Sequence, residues 1–498
     1  MKIKSLLFLL LALVGMSATA QRLKPSTKPN ACQQRVIERG YGMFVHFGMN
    51  TFNGFEWSEG KDPATLYNPT NLDCDQWARV ARDAGFRYIL LVTKHHDGFC
   101  LWDSRYTDYD VASSPVKTDV VKAVSDACRK YGLELGLYYS LWDRHEPSYK
   151  SSDFSDYLEY MDGQLNELLT NYGDICELWF DGGWDKPAAD WNVPHIYDHV
   201  KKLQPKCAVG FNVSAIRPIG EDKGGFDMFP VEDMVGNPDI QFRYFPTDFR
   251  LYDPKIAHPN DAKLYNVDGK TYYLPFEHTI CLSYAYEWFQ KAEPQPVRDL
   301  VELRELFYLS TANNNTLVIN LPPDQTGRIP QHEANTAIAL ARMIGIEHGK
   351  PLPKGGEIIS VGAKAEATSV WDDTGDWDAS KATDGGMQTR WASRDTVAQL
   401  VFYPDPEKKF NVVNIYEYCD SYRDANNRFH RTNRITDYSL DIFNEADGSW
   451  TPIYVSTSAM GDCKSISLPE PISASRVRLN IRSAVESPSI YEIQLINR

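Results

Sequence analysis

The sequence predicts an α/β protein in which an irregular (β/α)8-like barrel is followed by an all-β jelly-roll sandwich. Two observations support this fold class. From Tyr41 to about Gly349, short apolar segments alternate with amphipathic helical segments, as in a parallel sheet with crossover helices. Beyond Gly356, the chain consists of short alternating or apolar runs separated by turn residues, with hardly any helical pattern.

The first part of the chain contains five clear strand-like segments and three helices between them. The strands are predicted at YGMFVHFG (41–48), FRYILLVTKHHDGF (86–99), LELGLYYS (133–140), ICELWF (175–180) and CAVGFN (207–212). The helices are predicted at DCDQWARVARDAG (73–85), SPVKTDVVKAVSDACRKYG (114–132) and about 154–172.

The alternation of strands and helices is less regular after residue 212. Strands are predicted at YYLPFEHTI (272–280) and TLVINLPP (316–323), with a helix across 296–309 between them. A last helix, EANTAIALARMIGIEHG (333–349), closes this domain, and PLPKGG (351–356) has the composition of a linker. We therefore predict a barrel domain over residues 21–350 and a sandwich over residues 351–498.

The first twenty residues have the features of a secretory signal peptide. Two lysines precede the apolar run Leu6–Val14, and a small-x-small motif ends at Ala20. No later run approaches the roughly 18 apolar residues that a transmembrane helix needs. We expect residues 1–20 to be removed and the chain to be exported, either to a periplasm or out of the cell.

The charge and the cysteines exclude several classes of function. The formal net charge of −15 disfavours nucleic acid and anionic membrane surfaces, which both bind clustered lysine and arginine. The nine cysteines are scattered, without a close CxxC pair, which excludes a small disulfide scaffold and the standard zinc motifs. A neutral or weakly charged substrate fits this composition better.

Side chains capable of chemistry follow each of the first four predicted strands. They are His46 for the first strand, His95, His96 and Asp97 for the second, Tyr139, Trp142 and Asp143 for the third, and Asp181 for the fourth. A parallel sheet of this kind closes as a barrel or stays open and doubly wound. Strand ends that all supply one site indicate a TIM barrel, and the GxGxxG turn of a doubly wound nucleotide binder is absent after the first strand.

Asp181 ends the fourth strand and is followed by Gly182 and Gly183. A carboxylate in this position, with residues that let the chain turn sharply and let a ligand approach the backbone, suits a nucleophile or an acid/base catalyst. The alternative is an aspartate that only caps a helix or a turn.

The histidines allow a metal site or a sugar site. Three histidines and an aspartate are a possible zinc ligand set. However, the neighbours His95 and His96 point to opposite sides of an extended segment, so without a bulge only one of them would face a shared metal. Neutral imidazoles and tyrosine hydroxyls can donate to and accept from several sugar hydroxyls. The indoles of Trp57, Trp142 and Trp288 could cover the apolar face of a pyranose.

Four motifs in order resemble the α-L-fucosidases of glycoside hydrolase family 29. They are YGMFVHFGMNTF with FEWSEG, KHHDGFCLWDSRYTDYDV, YYSLWDRH and ELWFDGGW, and TLVINLPPDQTGRIP is similar to the closing strand of that family. The resemblance covers Tyr41 to about Trp184. The FEW and LWDR forms are similar to the branch that prefers α-1,3- and α-1,4-linked fucose on branched, Lewis-type glycans.

The resemblance implies a retaining exo-glycosidase and assigns its residues. Asp181 matches the nucleophile, and the fucose pocket is matched by His46, Glu56, Trp57, His95, His96, Tyr139 and Trp142. For the acid/base, Glu221 after Arg217-Pro218-Ile219-Gly220 is the first choice and Glu232 is the rival, whereas Glu277 matches a structural position. Fucose has a methyl group in place of a 6-hydroxyl, and we expect Trp288 or Phe289 to contact it. The chemistry needs no metal or organic cofactor.

The C-terminal part has a resemblance of its own. KATDGGMQTRWAS, VVNIYEY, DYSLDIFNEADGSW and SRVRLNIRS are similar to the discoidin or coagulation-factor type C fold, which includes galactose-binding modules. That resemblance makes Asp384 a candidate ligand of a structural Ca²⁺ ion, with no ion as the alternative. Sugar binding by this module stays open because many sandwiches of this kind bind none.

Three functions remain to be distinguished. The first is an exported α-L-fucosidase that releases terminal fucose from fucosylated oligosaccharides or glycoconjugates. The second is a related retaining glycosidase that acts on another 6-deoxy or galacto-configured sugar. The third is a secreted, lectin-like protein that binds glycans on a glycosidase scaffold without hydrolysing them.

Overall fold

The computed structural model of the protein describes residues 23–186, 189–220, 225–227, 241–251, 263–284, 287–290, 295–386, 389–423, 429–461 and 463–498. The signal peptide predicted over residues 1–20 lies outside these ranges, and export therefore stays a prediction. Within the described ranges, no helix has the length and apolar character needed to cross a membrane.

Eight parallel strands close into a barrel, which confirms the predicted fold class. Around the barrel the order is β1, β13, β12, β9, β5, β4, β3 and β2, with β1 paired to β2. The strands up to this point of the chain are β1 (Tyr41–Val45), β2 (Tyr88–Lys94), β3 (Glu134–Ser140), β4 (Ile175–Asp181), β5 (Ala208–Asn212), β6 (Ala215–Gly220), β7 (Gly225–Asp227), β8 (Gln241–Phe242), β9 (Phe249–Leu251), β10 (Leu264–Val267), β11 (Lys270–Tyr273), β12 (Phe276–Cys281) and β13 (Thr316–Asn320).

Helices surround the barrel, and several begin where the sequence offers a cap. The side chain of Asp73 caps α3 and that of Asp119 caps α4, which ends at Gly132 in the left-handed conformation. The helices in the described residues are α1 (Ala31–Arg39), α2 (Met49–Asn53), α3 (Cys74–Asp83), α4 (Val120–Tyr131), α5 (Ser155–Asn171), α6 (Val193–Leu203), α7 (Leu300–Thr311) and α8 (Gln331–Ile344), with 3₁₀ turns at Ala64–Leu66, Val111–Ser113, Pro147–Lys150, Gly183–Asp185 and Ala379–Ala382.

Alternate residues of the barrel strands face opposite sides. One set fills the barrel interior: Phe44, Leu90, Val92, Tyr138, Trp179, Phe249 and Val318. The other set packs outwards against the helices: Met43, Ile89, Leu91, Leu137, Tyr139, Leu178 and Phe180. On β4 this alternation turns Glu177, Trp179 and Asp181 to the same inner face, with Asp181 at the carboxyl-terminal end of the barrel.

A buried polar cluster closes the amino-terminal end of the barrel. Glu277 accepts hydrogen bonds from Tyr88 Oη at 3.1 Å and from Trp179 Nε1 at 3.0 Å, and Arg39 Nη2 pairs with Glu177 at 2.7 Å. Burial and the neighbouring charge of Glu177 raise the pKa of Glu277 well above its usual value. Glu277 therefore contributes to the barrel's internal packing, as the sequence indicated.

The C-terminal part is a sandwich of two antiparallel sheets. One sheet has the order β14, β25, β18, β23, with β16 also on β25, and the other has the order β15, β17, β24, β21, β22. Their inner faces meet in one apolar core that includes Trp391, Leu400, Ile415, Leu440 and Ile493. The strands are β14 (Glu357–Ile358), β15 (Lys364–Ala367), β16 (Trp391–Ala392), β17 (Ala398–Tyr403), β18 (Phe410–Glu417), β19 (Asp420–Arg423), β20 (Phe429–Thr432), β21 (Ile435–Asn444), β22 (Ser449–Ser456), β23 (Cys463–Ile472), β24 (Val477–Ala484) and β25 (Ser489–Asn497).

The sandwich packs on the outer side of α7 through a buried carboxylate. Glu305, at 1 % exposure, pairs with Arg498 Nη2 at 2.9 Å and with Arg304 Nε at 2.6 Å. Asn414 of β18 also donates to Glu305. Because α7 leads directly into barrel strand β13, this contact links the sandwich to the barrel wall.

Candidate active site

Asp181 is held by side chains from both neighbouring strands. Tyr138 Oη of β3 donates to Asp181 Oδ2 at 2.8 Å, and Asn212 Nδ2 of β5 donates to Oδ1 at 3.0 Å. His96 Nε2 lies 3.7 Å from Oδ2, and the Asp181 side chain is 12 % exposed. Each carboxylate oxygen thus has a fixed donor while the group stays accessible from the carboxyl-terminal end of the barrel.

The two glycines after Asp181 allow neighbouring loops to come close. Gly182 has φ +77°, and a Cβ atom there would lie 2.7 Å from Trp142 Cβ and 3.1 Å from His96 Nδ1. A Cβ on Gly183 would lie 2.4 Å from Tyr244 Oη. The short 3₁₀ turn that follows has Gly182 at its N-cap and no side-chain cap. The alternative that Asp181 is only a capping residue is therefore wrong.

The hydrogen-bond network sets the tautomers of two histidines. His46 Nδ1 donates to Asn320 Oδ1 at 2.9 Å, because Asn320 Nδ2 is already donating to the Trp288 carbonyl. His96 Nδ1 donates to Ser140 Oγ at 2.7 Å, because that hydroxyl donates to the Trp142 carbonyl. In both neutral rings Nε2 is left as the hydrogen-bond acceptor.

His95 is the opposite tautomer, with the proton on Nε2. Asn50 Nδ2 donates to the Glu56 carbonyl at 2.9 Å and lies 3.3 Å from His95 Nδ1, so Nδ1 accepts and Nε2 carries the proton. The three rings lie close together, with centroids 4.1 Å apart for His95 and His96 and 6.0 Å apart for His46 and His95. The cluster therefore offers two acceptors and one donor, a set suited to sugar hydroxyls.

Burial keeps the three imidazoles neutral. It lowers the pKa of His46 to about 3 and, against the opposing charge of Asp181, the pKa of His96 to about 4. The pKa of His95 falls well below its usual value because of burial and then because of the neighbouring His96, His46 and Arg144. At neutral pH these rings act as hydrogen-bonding groups without charge.

His95 and His96 both face this cluster, contrary to the prediction for an extended segment. The register of β2 against β3 shifts between Val92 and Lys94, and β2 ends at Lys94, so the alternation of an extended strand no longer holds. Within the residues that the structure describes, no three histidine, cysteine, aspartate or glutamate side chains form a potential metal site.

The prediction for Tyr139 is wrong by one position. Tyr139 points out of the barrel, where its hydroxyl contacts Lys94 Nζ at 2.9 Å and Gln164 Oε1 at 2.7 Å. Tyr138 points inward and bonds to Asp181. In a strand buried on both faces, two adjacent tyrosines look equivalent in the sequence. Asp181 faces inward on β4, and the tyrosine of β3 that faces the same way can be identified only when the register between the two strands is known.

Glu56, Trp288 and Phe289 lie together on the other side of the histidines. The Glu56 carboxylate accepts from the backbone N–H groups of Trp288 at 3.0 Å and Phe289 at 3.4 Å. The Trp288 ring lies 4.9 Å from His46 and the Phe289 ring 4.9 Å from His95. Glu56 thus positions both candidates, Trp288 and Phe289, for the expected contact with the fucose methyl group.

Trp57 and Trp142 reach the site from the loops after β1 and β3. Their centroids lie 5.7 Å and 5.1 Å from His96. Trp184, which the sequence analysis did not select, lies 5.3 Å from Trp57. In the sequence it ends the ELWFDGGW motif, three residues after Asp181.

The remaining predicted residues are Glu221, Glu232 and Asp384. Glu221 and Glu232 fall outside the described residues; in sequence, Glu221 directly follows β6. Asp384 lies in the sandwich, where its carboxylate accepts from the Gly386 N–H at 2.9 Å and from Thr389 Oγ1 at 2.6 Å.

Comparisons with known proteins identify the family. The model of the α-L-fucosidase family matches residues 53–346, more than half of the chain. α-L-Fucosidase 1 of Arabidopsis thaliana is 28 % identical over 503 residues, which cover 98 % of this chain and 92 % of that protein. Plasma α-L-fucosidase of Homo sapiens is 28 % identical over 186 residues, which cover 30 % of this chain and 40 % of that protein.

A solved structure extends the likeness over both parts of the chain. It is a glycoside hydrolase 29 family member from an unknown rumen bacterium, with a TM-score of 0.56 and 25 % sequence identity. The alignment covers 96 % of this chain and 78 % of that one.

The adjacent tyrosines provide a matched pair of variants. Tyr138→Phe removes a hydrogen bond to a charged carboxylate, worth about 1.5–3 kcal/mol, so kcat/KM on an α-L-fucoside should fall about 10- to 100-fold. Tyr139→Phe should lower the free energy of unfolding by about 1–2 kcal/mol and leave kcat/KM within about twofold. Steady-state kinetics and denaturant unfolding measure both effects. Equal kinetic losses in the two variants would contradict the inward assignment of Tyr138.

The neutral histidines predict a loss of stability in acid. Their pKa values are lowered in the folded state, so between about pH 6.5 and pH 4 the unfolded chain takes up protons that the folded chain does not. Each histidine then lowers the free energy of unfolding by up to roughly 1.4 kcal/mol per pH unit as the pH falls. The stability is complete above about pH 6.5.

The test compares denaturant unfolding of the wild type and His46→Gln at several pH values in this window. Glutamine does not titrate, so unfolding of the variant should take up as much as one proton fewer than unfolding of the wild type. Its free energy of unfolding should therefore depend less steeply on pH. Parallel pH curves for the two proteins would show that His46 is not held neutral.

Proposed function

Because the chain belongs to the α-L-fucosidase family of glycoside hydrolases, we propose that it is a retaining exo-α-L-fucosidase that releases terminal α-1,3- or α-1,4-linked L-fucose from glycans. The observation that supports this most strongly is Asp181, an accessible carboxylate fixed by Tyr138 and Asn212 beside three neutral histidines. A carboxylate placed in this way can attack an anomeric carbon from a fixed direction.

The proposed reaction has two steps. The ionised Asp181 attacks the anomeric carbon of fucose, and the bond from that carbon to the glycosidic oxygen breaks. A protonated glutamate gives its proton to the departing oxygen. In the second step the same glutamate takes a proton from water, and the water oxygen displaces Asp181 from the fucosyl-enzyme, with overall retention of configuration.

Glu221 is proposed as this acid/base, and Glu232 is the rival. Either must lie about 5–5.5 Å from Asp181 in a retaining enzyme. Glu221 is favoured because it follows Arg217-Pro218-Ile219-Gly220. This segment is similar to the one that precedes the acid/base in the fucosidase branch that prefers α-1,3- and α-1,4-linked fucose. It also directly follows β6, which begins at Ala215. Ala215 lies three residues after Asn212, the last residue of β5, which donates a hydrogen bond to Asp181.

The pocket groups bind and orient fucose in this proposal. Nε2 of His46 and Nε2 of His96 accept from sugar hydroxyls, and Nε2 of His95 donates to one. Trp288 or Phe289 contacts the methyl group. No step of this chemistry needs a metal or an organic cofactor.

The linkage preference and the cellular location rest on sequence. The FEW (55–57) and LWDR (141–144) motifs favour Lewis-type fucosylated oligosaccharides or glycoconjugates as substrates. The signal-like N-terminus supports export to a periplasm or to the medium.

We also propose that the sandwich is a discoidin-like module with a structural calcium ion. Glu492 is fully buried, and among the residues that the structure describes its Oε1 atom has no hydrogen-bond partner. Burial and the charge of Asp384 raise the pKa of Glu492 well above its usual value. A buried carboxylate oxygen, Glu492 Oε1, and the carboxylate of Asp384 are suitable ligands for a hard cation. Backbone carbonyls would complete the coordination of the ion.

Product analysis tests the proposed activity. Incubation with a Lewis-type trisaccharide should release free fucose, and 2′-fucosyl-lactose should release it more slowly. Asp181→Asn should lower turnover by about 10³-fold or more. Binding of both glycans with release from neither would favour the lectin-like alternative and would sink the enzyme proposal.

Chemical rescue identifies the acid/base. Azide should restore turnover to the alanine variant of the true acid/base, either Glu221→Ala or Glu232→Ala, because a small nucleophile can complete the second step without a general base. Full activity in both variants would contradict the proposed mechanism for this segment.

Calcium binding is tested by thermal unfolding with Ca²⁺ and with EDTA. Calcium at about 100 times its Kd should stabilise the sandwich by about 2.7 kcal/mol. Glu492→Gln should lose this response, whereas the exposed turn variant Asp447→Asn should keep it. The same melting curve with Ca²⁺ and with EDTA would rule the site out.

A further inference from the structure

The loop between β12 and α7 carries Trp288 and Phe289 and is closed at its base by backbone pairing. Its described residues are 282–284, 287–290 and 295–299, and it is termed the β12–α7 loop below. Two backbone hydrogen bonds of 2.9 Å join its ends, from the Tyr284 N–H to the Pro296 carbonyl and from the Arg298 N–H to the Leu282 carbonyl. The two ends of the loop therefore lie side by side where it meets the helix.

The side chain of Arg298 fixes this base to helix α7. Its Nε atom donates to the carbonyl of Cys281, the last residue of β12, at 2.9 Å. Its Nη1 atom pairs with Glu302 Oε1 at 2.6 Å, and Tyr284 Oη donates to Glu302 Oε2 at 2.7 Å. One side chain from each end of the loop is thus held by Glu302, in the first turn of α7. These contacts are termed the clamp below.

The middle of the loop lies against the candidate pocket. Glu56 accepts from the Trp288 N–H at 3.0 Å, and Asn320 Nδ2 donates to the Trp288 carbonyl at 2.7 Å. The Trp288 ring is 4.9 Å from the ring of His46. The position of the aromatic side chains is therefore set by contacts at the pocket and by the clamp at α7.

The sandwich docks on α7 one turn further along the helix. Glu305 lies three residues after Glu302, so the two carboxylates are on the same side of α7. Arg498, which directly follows β25, reaches the buried Glu305 carboxylate with Nη2 at 2.9 Å and with Nη1 at 3.3 Å. Arg304 pairs with Glu305 at 2.6 Å and donates through Nη2 to Ser465 Oγ of β23.

Cys463 of β23 lies near both carboxylates. Burial and then the charges of Glu305 and Glu302 raise the pKa of its thiol well above its usual value. The sandwich therefore meets α7 at the level of the clamp as well as at Glu305. Because a buried charge that loses its partner is strongly destabilising, removal of Arg498 would perturb this turn of the helix.

We propose that Arg298 and Glu302 are positioning residues for fucose binding, and that the sandwich supports them by holding α7 at Glu305. This inference rests on the proposed fucosidase function, in which Trp288 or Phe289 contacts the sugar. A loop that is already held in its binding conformation loses less conformational entropy when the ligand binds. The sandwich then contributes to the affinity for fucose from a distance.

Steady-state kinetics of Arg298→Met and Arg498→Met test the proposal. The loop contacts fucose in the substrate and in the transition state alike, so its loosening should weaken both. KM for a Lewis-type trisaccharide and the inhibition constant of L-fucose should rise about 3- to 10-fold, with kcat within about twofold. Arg498→Lys keeps the charge and should recover part of the loss.

A matched control variant is available in the other sheet of the sandwich. Arg482 of β24 forms a half-exposed pair with Asp437 at 2.6 Å. Arg482→Met makes the same chemical change as Arg498→Met, away from α7, and should leave kcat, KM and the inhibition constant at the wild-type level. A rise of KM in this control equal to that in Arg498→Met would overturn the proposal.

The double variant tests whether the two arginines act through the same turn of α7. If the sandwich acts through the clamp, Arg498→Met should raise KM by a smaller factor in the Arg298→Met background than in the wild type. Fully independent effects of the two changes would overturn the proposal. An unchanged KM in Arg498→Met, or a fall in kcat with KM unchanged, would overturn it as well.

Hydrogen exchange separates positioning of the loop from a general loss of stability. Peptides that cover residues 282–290 should exchange faster in Arg298→Met and in Arg498→Met than in the wild type, whereas peptides that cover His95 and His96 should exchange at the wild-type rate. Equally faster exchange of both sets of peptides would indicate general destabilisation and would overturn the proposal.

The same measurement distinguishes failure of this proposal from failure of the proposed function. If the wild type releases no fucose from the trisaccharide, the proposed function is wrong, and faster exchange of residues 282–290 in both variants would still support the positioning role of the clamp. Wild-type exchange of these residues in the variants would overturn that role whether or not the protein is active.

Discussion

The inward face of β4 is the constraint on which the active site depends. Closure of the barrel places Glu177, Trp179 and Asp181 in one column, at successive levels of the interior. The Trp179 indole donates to Glu277 below and stacks on Tyr138 at 5.3 Å, and Tyr138 donates to Asp181 above. The position of Asp181 is thus determined by packing that extends to the amino-terminal end of the barrel.

Burial also explains why the imidazoles around Asp181 stay uncharged. A protonated His96, 3.7 Å from Asp181, would form an ion pair that stabilises the carboxylate and weakens the attack on carbon proposed for it. Burial prevents this by lowering the pKa of His96 to about 4 and that of His46 to about 3. The rings can then orient sugar hydroxyls while Asp181 keeps its reactivity.

Much of the fold and part of the site could be predicted from the sequence. Strands β1 to β5 were recognisable because each is an apolar run of five or more residues, whereas β9 has three residues, Phe249–Leu251, and leaves no pattern. Asp181 and the histidines could be selected as candidates because they lie at or just after the ends of strands. Tyr138 was missed because the choice between adjacent tyrosines depends on cross-strand register, and Trp184 because its importance lies in contacts with distant loops.

The irregularity in β2 also positions two loops of the candidate active site. The register shift after Val92 turns Lys94 out of the barrel, where its Nζ atom pairs with Asp143 at 2.8 Å, both side chains being buried. Burial alone would lower the pKa of Lys94, but the charge of Asp143 raises it above its usual value, so Lys94 stays protonated. Lys94 directly precedes the two histidines, and Asp143 directly follows Trp142. One buried ion pair therefore holds the loop of His95 and His96 and the loop of Trp142 in a fixed relation, which a regular strand ending in the same residues would not provide.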